Sequence, residues 1–389
     1  MRNLVISGMA LIAATYGLAR FGFGFFLPRF TEAFDLSPSL SGAIQAGSFL
    51  SYCVTAAAAA RLGACPRLVV ACAGATAALG AAGVAAAPNA GILAAGVVIA
   101  GGGAGFATPG LVRLIERNIA AARQESAQTV VNAGTGAGIV AAGVLLILTA
   151  GQWRLGWAGI AVLSALSAAA VLRSDRSSPG PAEGESGTAD PPRLRFGRLA
   201  ALAKPLGKPL AAALLAGASS AAVWTFGRTV IAGAGSGTQM HSVTAWMVLG
   251  AFGVLGAFAG KLVQAASVRT AWTGTVLAMA AATFLLGVAP GTPVAAFAAA
   301  ALFGGGYTAM SGVLIVWAVR AVPDQASAGT VVLFIALAIG QAAGSAVLGA
   351  LFREDSPTPA FTAAAVVGIL AVLPAVWSRQ KTPRRLYAG

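Results

Sequence analysis

Two arginines stand in apolar sequence where a charge is costly. Arg20 follows Tyr16-Gly17-Leu18-Ala19 and lies seven residues before Leu27. At ~1.5 Å per residue that is about 10 Å inside the outer edge of the first apolar stretch. Arg228 occupies a second such stretch, behind Trp224. A guanidinium near the centre of an isolated membrane helix costs from about 3 to more than 10 kcal/mol, so it normally faces an aqueous cavity or a partner. Its planar fork of donors matches the oxygens of a carboxylate or phosphate. Tyr16 and Trp224 each precede their arginine by four residues and so share its helix face, one turn away. In one register Arg228 is the counterpart of Arg20 in the second half of the chain. In another, a uniform shift of 200 residues matches Gly17 with Gly217 and Phe26 with Phe226. That shift brings Arg228 level with Pro28, where it would snorkel to the outer interface.

Other polar or aromatic side chains within apolar stretches are Gln45, Asn132, Trp246, Tyr307 and Gln341, and with the four residues above they are the candidate substrate-binding set. Each has a purely structural alternative, a bond to a neighbouring helix. The eleven acids all fall in loops or at the ends of apolar stretches. A cavity with positive charge and no embedded carboxylate attracts anions and repels organic cations. His241, the sole histidine, stands at the outer end of a stretch; it could relay a proton, or simply be a solvated loop-end residue. With no buried nucleophile–base pair, paired acids or metal set, the chain is expected to have no catalytic residues, no metal and no cofactor. Cys53, Cys65 and Cys72 fit neither a disulfide framework nor a zinc pattern and are expected to be free thiols.

The elements that must position these residues are membrane helices. The chain is 58% hydrophobic and only 9% charged, with mean hydropathy +0.82, too little charge for a soluble domain. Twelve apolar stretches of about 20 residues run roughly 4–27, 39–60, 68–87, 91–112, 127–149, 155–172, 209–232, 242–260, 270–289, 294–318, 327–351 and 360–377. The net charge of +14 reflects topology rather than nucleic-acid binding. Apart from Arg20 and Arg228, only Arg29, Arg154 and Arg353 fall outside the segments that share a side with the N-terminus. That bias predicts both termini in the cytoplasm and contact with anionic headgroups of the bilayer. The first stretch reads as an uncleaved span rather than a signal peptide.

The chain also repeats itself. Ser126-Ala127-Gln128-Thr129-Val130-Val131 returns as Ser327-Ala328-Gly329-Thr330-Val331-Val332, and Gly101-Gly102-Gly103 returns as Gly304-Gly305-Gly306. A polar stretch separates the echoes. The expected organisation is an N-terminal six-helix bundle (1–172), a cytoplasmic linker (173–208) and a C-terminal six-helix bundle (209–389). Within the linker, Leu199, Leu202 and Leu206 recur at helical spacing, which suits either a short interfacial helix or a solvated connection. Gly134/Gly138 and Gly340/Gly344 form small-xxx-small faces, for plain helix packing or for sliding at the seam between halves.

Twelve spans, a six-plus-six repeat and a long central loop together resemble the major facilitator superfamily. Gly17-Leu18-Ala19-Arg20-Phe21 followed by Leu27-Pro28 is similar to its YbfB/YjiJ-like bacterial group, and Gln152-Trp153-Arg154 with Trp157 is similar to many members. The signature loop of the superfamily, roughly G-x-x-x-D-R-x-G-R-[KR], survives as Arg61, Gly63 and Arg67, with Ala60 in place of the acid; its echo retains Gly260 and Lys261. The arginine that many members carry early in the fourth span is absent. An arginine in each of the first and seventh spans looks like the organophosphate:phosphate antiporters, a resemblance that implies a clamp of Arg20 and Arg228 on an anion. The resemblance implies an all-α membrane fold of two pseudo-symmetric six-helix bundles in the bacterial inner membrane. It also implies a monomeric secondary transporter for a small solute. Arg20 points to an organic anion; the alternative is a drug or amphiphile exporter in which Arg20 is structural.

Overall fold

The computed structural model describes residues 2–176, 196–234, 239–256, 266–353 and 356–376. Gly260 and Lys261, the acidic part of the linker, Glu354, Asp355 and the basic C-terminal tail lie outside the described residues. Twelve helical spans follow one another, and no strand occurs among the described residues. They are α1 (Arg2–Phe34), α2 (Pro38–Arg61), α3 (Pro66–Ala85), α4 (Ala90–Asn118), α5 (Ala121–Leu148) and α6 (Trp153–Ser174). The series continues with α7 (Phe196–Gly233), α8 (Gln239–Leu255), α9 (Val268–Val288), α10 (Pro293–Ala321), α11 (Ala326–Leu351) and α12 (Thr358–Val376). Each expected span has its helix and most run past their apolar limits; the expected end of the eighth, 257–260, lies outside the described residues. A turn of helix beyond the hydrocarbon stays regular because its backbone groups are already paired. The linker segment that suited either a short interfacial helix or a solvated connection is helical from Phe196 and continuous with α7.

The helix starts follow local chemistry. Ser37, Asn89 and Ser267 cap α2, α4 and α9 by accepting from the backbone N–H of Leu40, Ile92 and Thr270 at 3.2, 3.0 and 3.1 Å. Pro38, Pro66 and Pro293 open their helices, where a missing N–H costs nothing.

α1 departs from regularity at its centre. Ala13–Arg20 forms a π-helical segment between two α-helical parts, and the Phe21 N–H reaches back five residues to the Tyr16 carbonyl at 3.0 Å. The widened turn leaves Tyr16 and Arg20 on one face. π segments of this kind concentrate at functional sites.

The repeat governs packing. Gly17 of α1 meets Gly138 of α5 so closely that a Cβ on Gly17 would lie 2.6 Å from the Gly138 carbonyl carbon. Gly217 of α7 meets Leu337 of α11 in the same way, 3.0 Å from its carbonyl carbon. Gly134 and Gly138 therefore clamp α5 onto α1, and Gly340 and Gly344 clamp α11 onto α7. Both glycine pairs are helix-packing faces, away from the α2–α11 and α5–α8 contacts. Those contacts carry different glycines, Gly42 on Gly349 and Gly136 on Gly250. α1 and α7 also touch, Gly24 lying against the Trp224 carbonyl.

At the face where α1 begins, here the N-terminal face, one carboxylate ties three helices together. Asp175, just past α6, accepts from Arg67 of α3 at 2.8 Å, from Asn118 of α4 at 2.9 Å, and from Arg117 of α4 through both Nε (3.2 Å) and Nη2. Burial pushes the Asp175 carboxyl up, but the bonds from Asn118, Arg117 and Arg67 outweigh it and hold its pKa below the ordinary carboxylate value. Sequence alone left Arg67 without its acid, because Ala60 replaced it. Asp175 supplies a carboxylate from over a hundred residues further along the chain.

Candidate functional site

A cavity of about 300 Å³ lies in the half of the bundle next to the N-terminal face. Its walls come from the first half of α1, the second halves of α2, α4 and α10, and the first halves of α5 and α11. Asn132 and Thr129 are exposed in its wall, and Arg20 stands at its inner end, 4% exposed.

Aromatic rings enclose the Arg20 guanidinium. Its central carbon lies 4.1 Å from the Tyr52 ring centre, 5.2 Å from Phe49, 5.3 Å from Phe21 and 5.6 Å from Tyr16. Each desolvated cation–π contact contributes up to about 2 kcal/mol. Arg20 Nη2 donates to Gln341 Oε1 at 2.9 Å, while the buried Nε donates to nothing. Gln341 in turn donates from Nε2 to Tyr307 Oη at 3.1 Å and to Ser220 Oγ at 3.4 Å. Ser220 stands 200 residues after Arg20, so two positions related by the repeat meet on one amide. No carboxylate lines the cavity among the described residues. The Arg20 guanidinium therefore meets neutral partners only, and its Nε is left without an acceptor.

Of the residues singled out from sequence, Arg20, Tyr16, Asn132 and Tyr307 line the cavity. Gln341 and Trp224 lie directly behind it. Gln341 is fully buried and bonded to Arg20; Trp224 stacks on Phe21 at 3.9 Å and meets Tyr307 edge-on at 5.0 Å. Trp246 is one layer further back, edge-on to Trp224 at 6.1 Å. Gln45 is buried with neither amide atom hydrogen-bonded and does not reach the cavity. His241 lies away from the cavity, its ring 5.1 Å from that of Phe297.

Arg228 is neither a cavity residue nor a snorkelling one. It is fully buried, donates from Nη1 to the Phe25 carbonyl and from Nε to Ser242 Oγ at 3.3 Å, and packs 4.6 Å from the Phe25 ring centre. The cause is register. Gly17 and Gly217 occupy equivalent contacts, so the 200-residue shift applies and Arg228 lies level with the second half of α1. α1 covers it there, which removes any route to the interface.

The opposite, far face is closed by the second halves of α1 and α7. Across the seam Phe21 stacks on Trp224 at 3.9 Å and Phe25 lies 6.4 Å from Trp246, while Phe26 and Phe30 pack on Trp157 and Trp153 of α6 at 5.9 and 5.2 Å within the first half. Arg29 pairs with Glu32 at 2.8 Å and donates to Gln239 of α8.

Sequence reasoning missed Tyr52, Thr108, Ser311 and Thr330 in the cavity wall. Tyr52 was within reach, since Gln45, Phe49 and Tyr52 lie on one face of α2 at helical spacing. Gln45 marked the right face at the wrong depth. The hydroxyls had no such signal, because Ser and Thr also satisfy themselves on their own helix, as Ser311 does on the Tyr307 carbonyl at 3.0 Å. Among the described residues no cluster could hold a metal ion.

The description Major Facilitator Superfamily matches residues 9–345. Among solved structures, the crystal structure of the nucleoside transporter NupG has TM-score 0.75 and 13% identity, covering 96% of this chain and 98% of that one. A mutant of the same transporter gives TM-score 0.77 at the same identity and coverage. No curated protein matches the chain. The chain belongs to the Major Facilitator Superfamily: it is a multi-pass membrane protein with a transporter fold rather than an enzyme's.

Proposed function

We propose that this protein carries a small organic anion across the bacterial inner membrane by alternating access, with Arg20 contacting the negative group. The observation that carries the reading is a guanidinium at membrane depth, at the end of an open cavity, with neutral partners and an undonated Nε. An incoming carboxylate replaces lost hydration and completes the donor fork. Tyr16, Tyr52 and Tyr307 offer rings and hydroxyls to the rest of a small molecule. The positive-inside bias supports cytoplasmic termini, which makes the described state open to the cytoplasm and closed outside.

The same geometry suggests the coupling. Arg20 belongs to the unit 1–172, whereas Gln341, Tyr307 and Ser220 belong to the unit 209–389. An anion that takes Nη2 competes with Gln341 for it, so binding loosens one bond between the rocking units. A monomer suffices, because the two units supply both walls.

The test is uptake into proteoliposomes with a panel of carboxylates, nucleosides and lipophilic drugs. Arg20→Ala abolishes carboxylate flux, and Arg20→Lys retains a minor fraction because a point charge lacks the fork. The rings around Arg20 favour a second reading, transport of an apolar amphiphile. Unchanged anion flux in Arg20→Ala, with drug flux in both proteins, selects it. Nucleoside uptake insensitive to Arg20 overturns both.

A further inference from the structure

The two halves solve the same problem at the N-terminal face differently, and the difference leaves a site. In the first half, Arg67 at the start of α3 and Arg117 at the end of α4 converge on Asp175 after α6. The repeat carries Arg67 to Arg269 at the start of α9 and Arg117 to Arg320 at the end of α10. A cavity of about 220 Å³ lies between α9, α10 and α12, and both arginines line it. Its wall also includes Ala321, where Asn118 stands in the first half, and Ala375, in the last turn of α12 as Asp175 lies at the end of α6. The pair of cations is kept, the amide is replaced by alanine, and no carboxylate is among the described residues that line the cavity.

Neither Arg269 nor Arg320 makes an ion pair with a carboxylate among the described residues. Two guanidinium groups that line one cavity repel each other, and an anion between them relieves the repulsion. The cavity faces the membrane surface that carries most of the chain's basic residues, the surface where anionic headgroups gather. Trp317 forms part of the wall and packs edge-on to Trp272 at 5.4 Å, a residue type favoured at headgroup depth.

We infer that the cavity lined by Arg269, Arg320 and Trp317 binds a phosphate-bearing anion from outside the chain, which does for the second half what Asp175 does for the first. The chemistry needed is a phosphate or phosphodiester group able to accept from two guanidinium forks. An anionic phospholipid headgroup and a soluble phosphate share that chemistry. The inference is independent of the reading of Arg20, which lines a different cavity.

The experiment is thermal unfolding of the purified full chain in detergent, titrated with phosphatidylglycerol, phosphatidylcholine or inorganic phosphate. The wild type is stabilised by phosphatidylglycerol well beyond phosphatidylcholine. Arg269→Gln combined with Arg320→Gln weakens the response at least ~10-fold, the scale of losing one charged hydrogen bond. Ala375→Asp installs the missing carboxylate, so its response to phosphatidylglycerol disappears while its midpoint without lipid does not fall. This variant separates loss of the site from loss of the fold. Arg123→Gln, at the same face but outside the cavity, responds as wild type. Equal stabilisation by inorganic phosphate, lost in the same variants, supports the site with a soluble ligand. A wild type indifferent to both phosphatidylglycerol and phosphate overturns the inference. So does an unaltered response in the double variant and in Ala375→Asp.

Discussion

Closure of the far face depends on a glycine, and adding one methyl group there should tilt the balance between the two states of the carrier. In the described state Gly24 lies against α7. A Cβ built on it would stand 3.0 Å from the Trp224 carbonyl carbon and 3.2 Å from the Thr225 carbonyl oxygen, with the Trp224 oxygen closer still. These are backbone atoms and cannot swing aside. Overpacking of this kind costs about 1–3 kcal/mol. The cost falls on the state in which α1 and α7 touch and is absent once they part. Gly24→Ala therefore shifts the ratio of the two states about 5- to 140-fold toward opening at the far face. The assay uses a background with Cys53, Cys65 and Cys72 replaced by serine and a probe at Ser311→Cys in the cavity wall. Impermeant maleimide is offered from one face or the other. Labelling from the N-terminal face should fall and labelling from the far face should rise. Unchanged rates at both faces, in a variant that stays folded and monodisperse, would refute the assignment of the α1–α7 contact as the closure.

Two further outcomes separate structural from functional charge. Arg228→Met should keep anion flux within a few-fold of wild type, because the residues that Arg228 is seen to bond, Phe25 and Ser242, do not line the cavity and a similarly long apolar side chain fills its place. A loss as large as that of Arg20→Met would restore the paired clamp. Asp175 has its pKa depressed in the folded chain. Its stabilising contribution is fully present at neutral pH, above the unfolded value, and is lost as pH falls through the folded one. The unfolding midpoint of Asp175→Asn should lie below wild type at pH 7, and the gap should close in acid below the ordinary carboxylate range. A gap independent of pH would show that charge is not what Asp175 contributes.

The spans, the repeat and the depth of Arg20 were legible because hydropathy and the cost of a buried charge act locally. The π segment was not. Ala13–Arg20 is ordinary helical sequence, and only the fit of Gly17 against Gly138 accommodates the wider turn. Register between halves was partly legible: Gly17 and Gly217 gave the correct shift, but the arginines at positions 20 and 228 suggested a competing one. Charge type alone cannot say which of two buried arginines faces water, because that depends on what packs over each. The tie from Arg67 to Asp175 was hidden for a related reason, since its partners are distant in sequence and the expected position, Ala60, was empty of charge.

The dry stack of Phe21, Phe25, Trp224 and Trp246, where α1 meets α7 and α8, has an electrical consequence. Water in the cavity conducts the potential of one compartment down to Arg20, so the transmembrane voltage falls mainly across the dry aromatic layer. When the carrier reverses, the guanidinium passes from one compartment's potential to the other's while moving little in space. Moving one elementary charge through the whole drop is worth about 2.3 kcal/mol per 100 mV. Under the proposed function, Arg20 loaded with a monovalent anion has no net charge and its passage is electrically silent, whereas the empty passage is the step that the membrane voltage drives or holds back. A voltage jump on oriented protein should therefore evoke a transient current that saturating substrate suppresses.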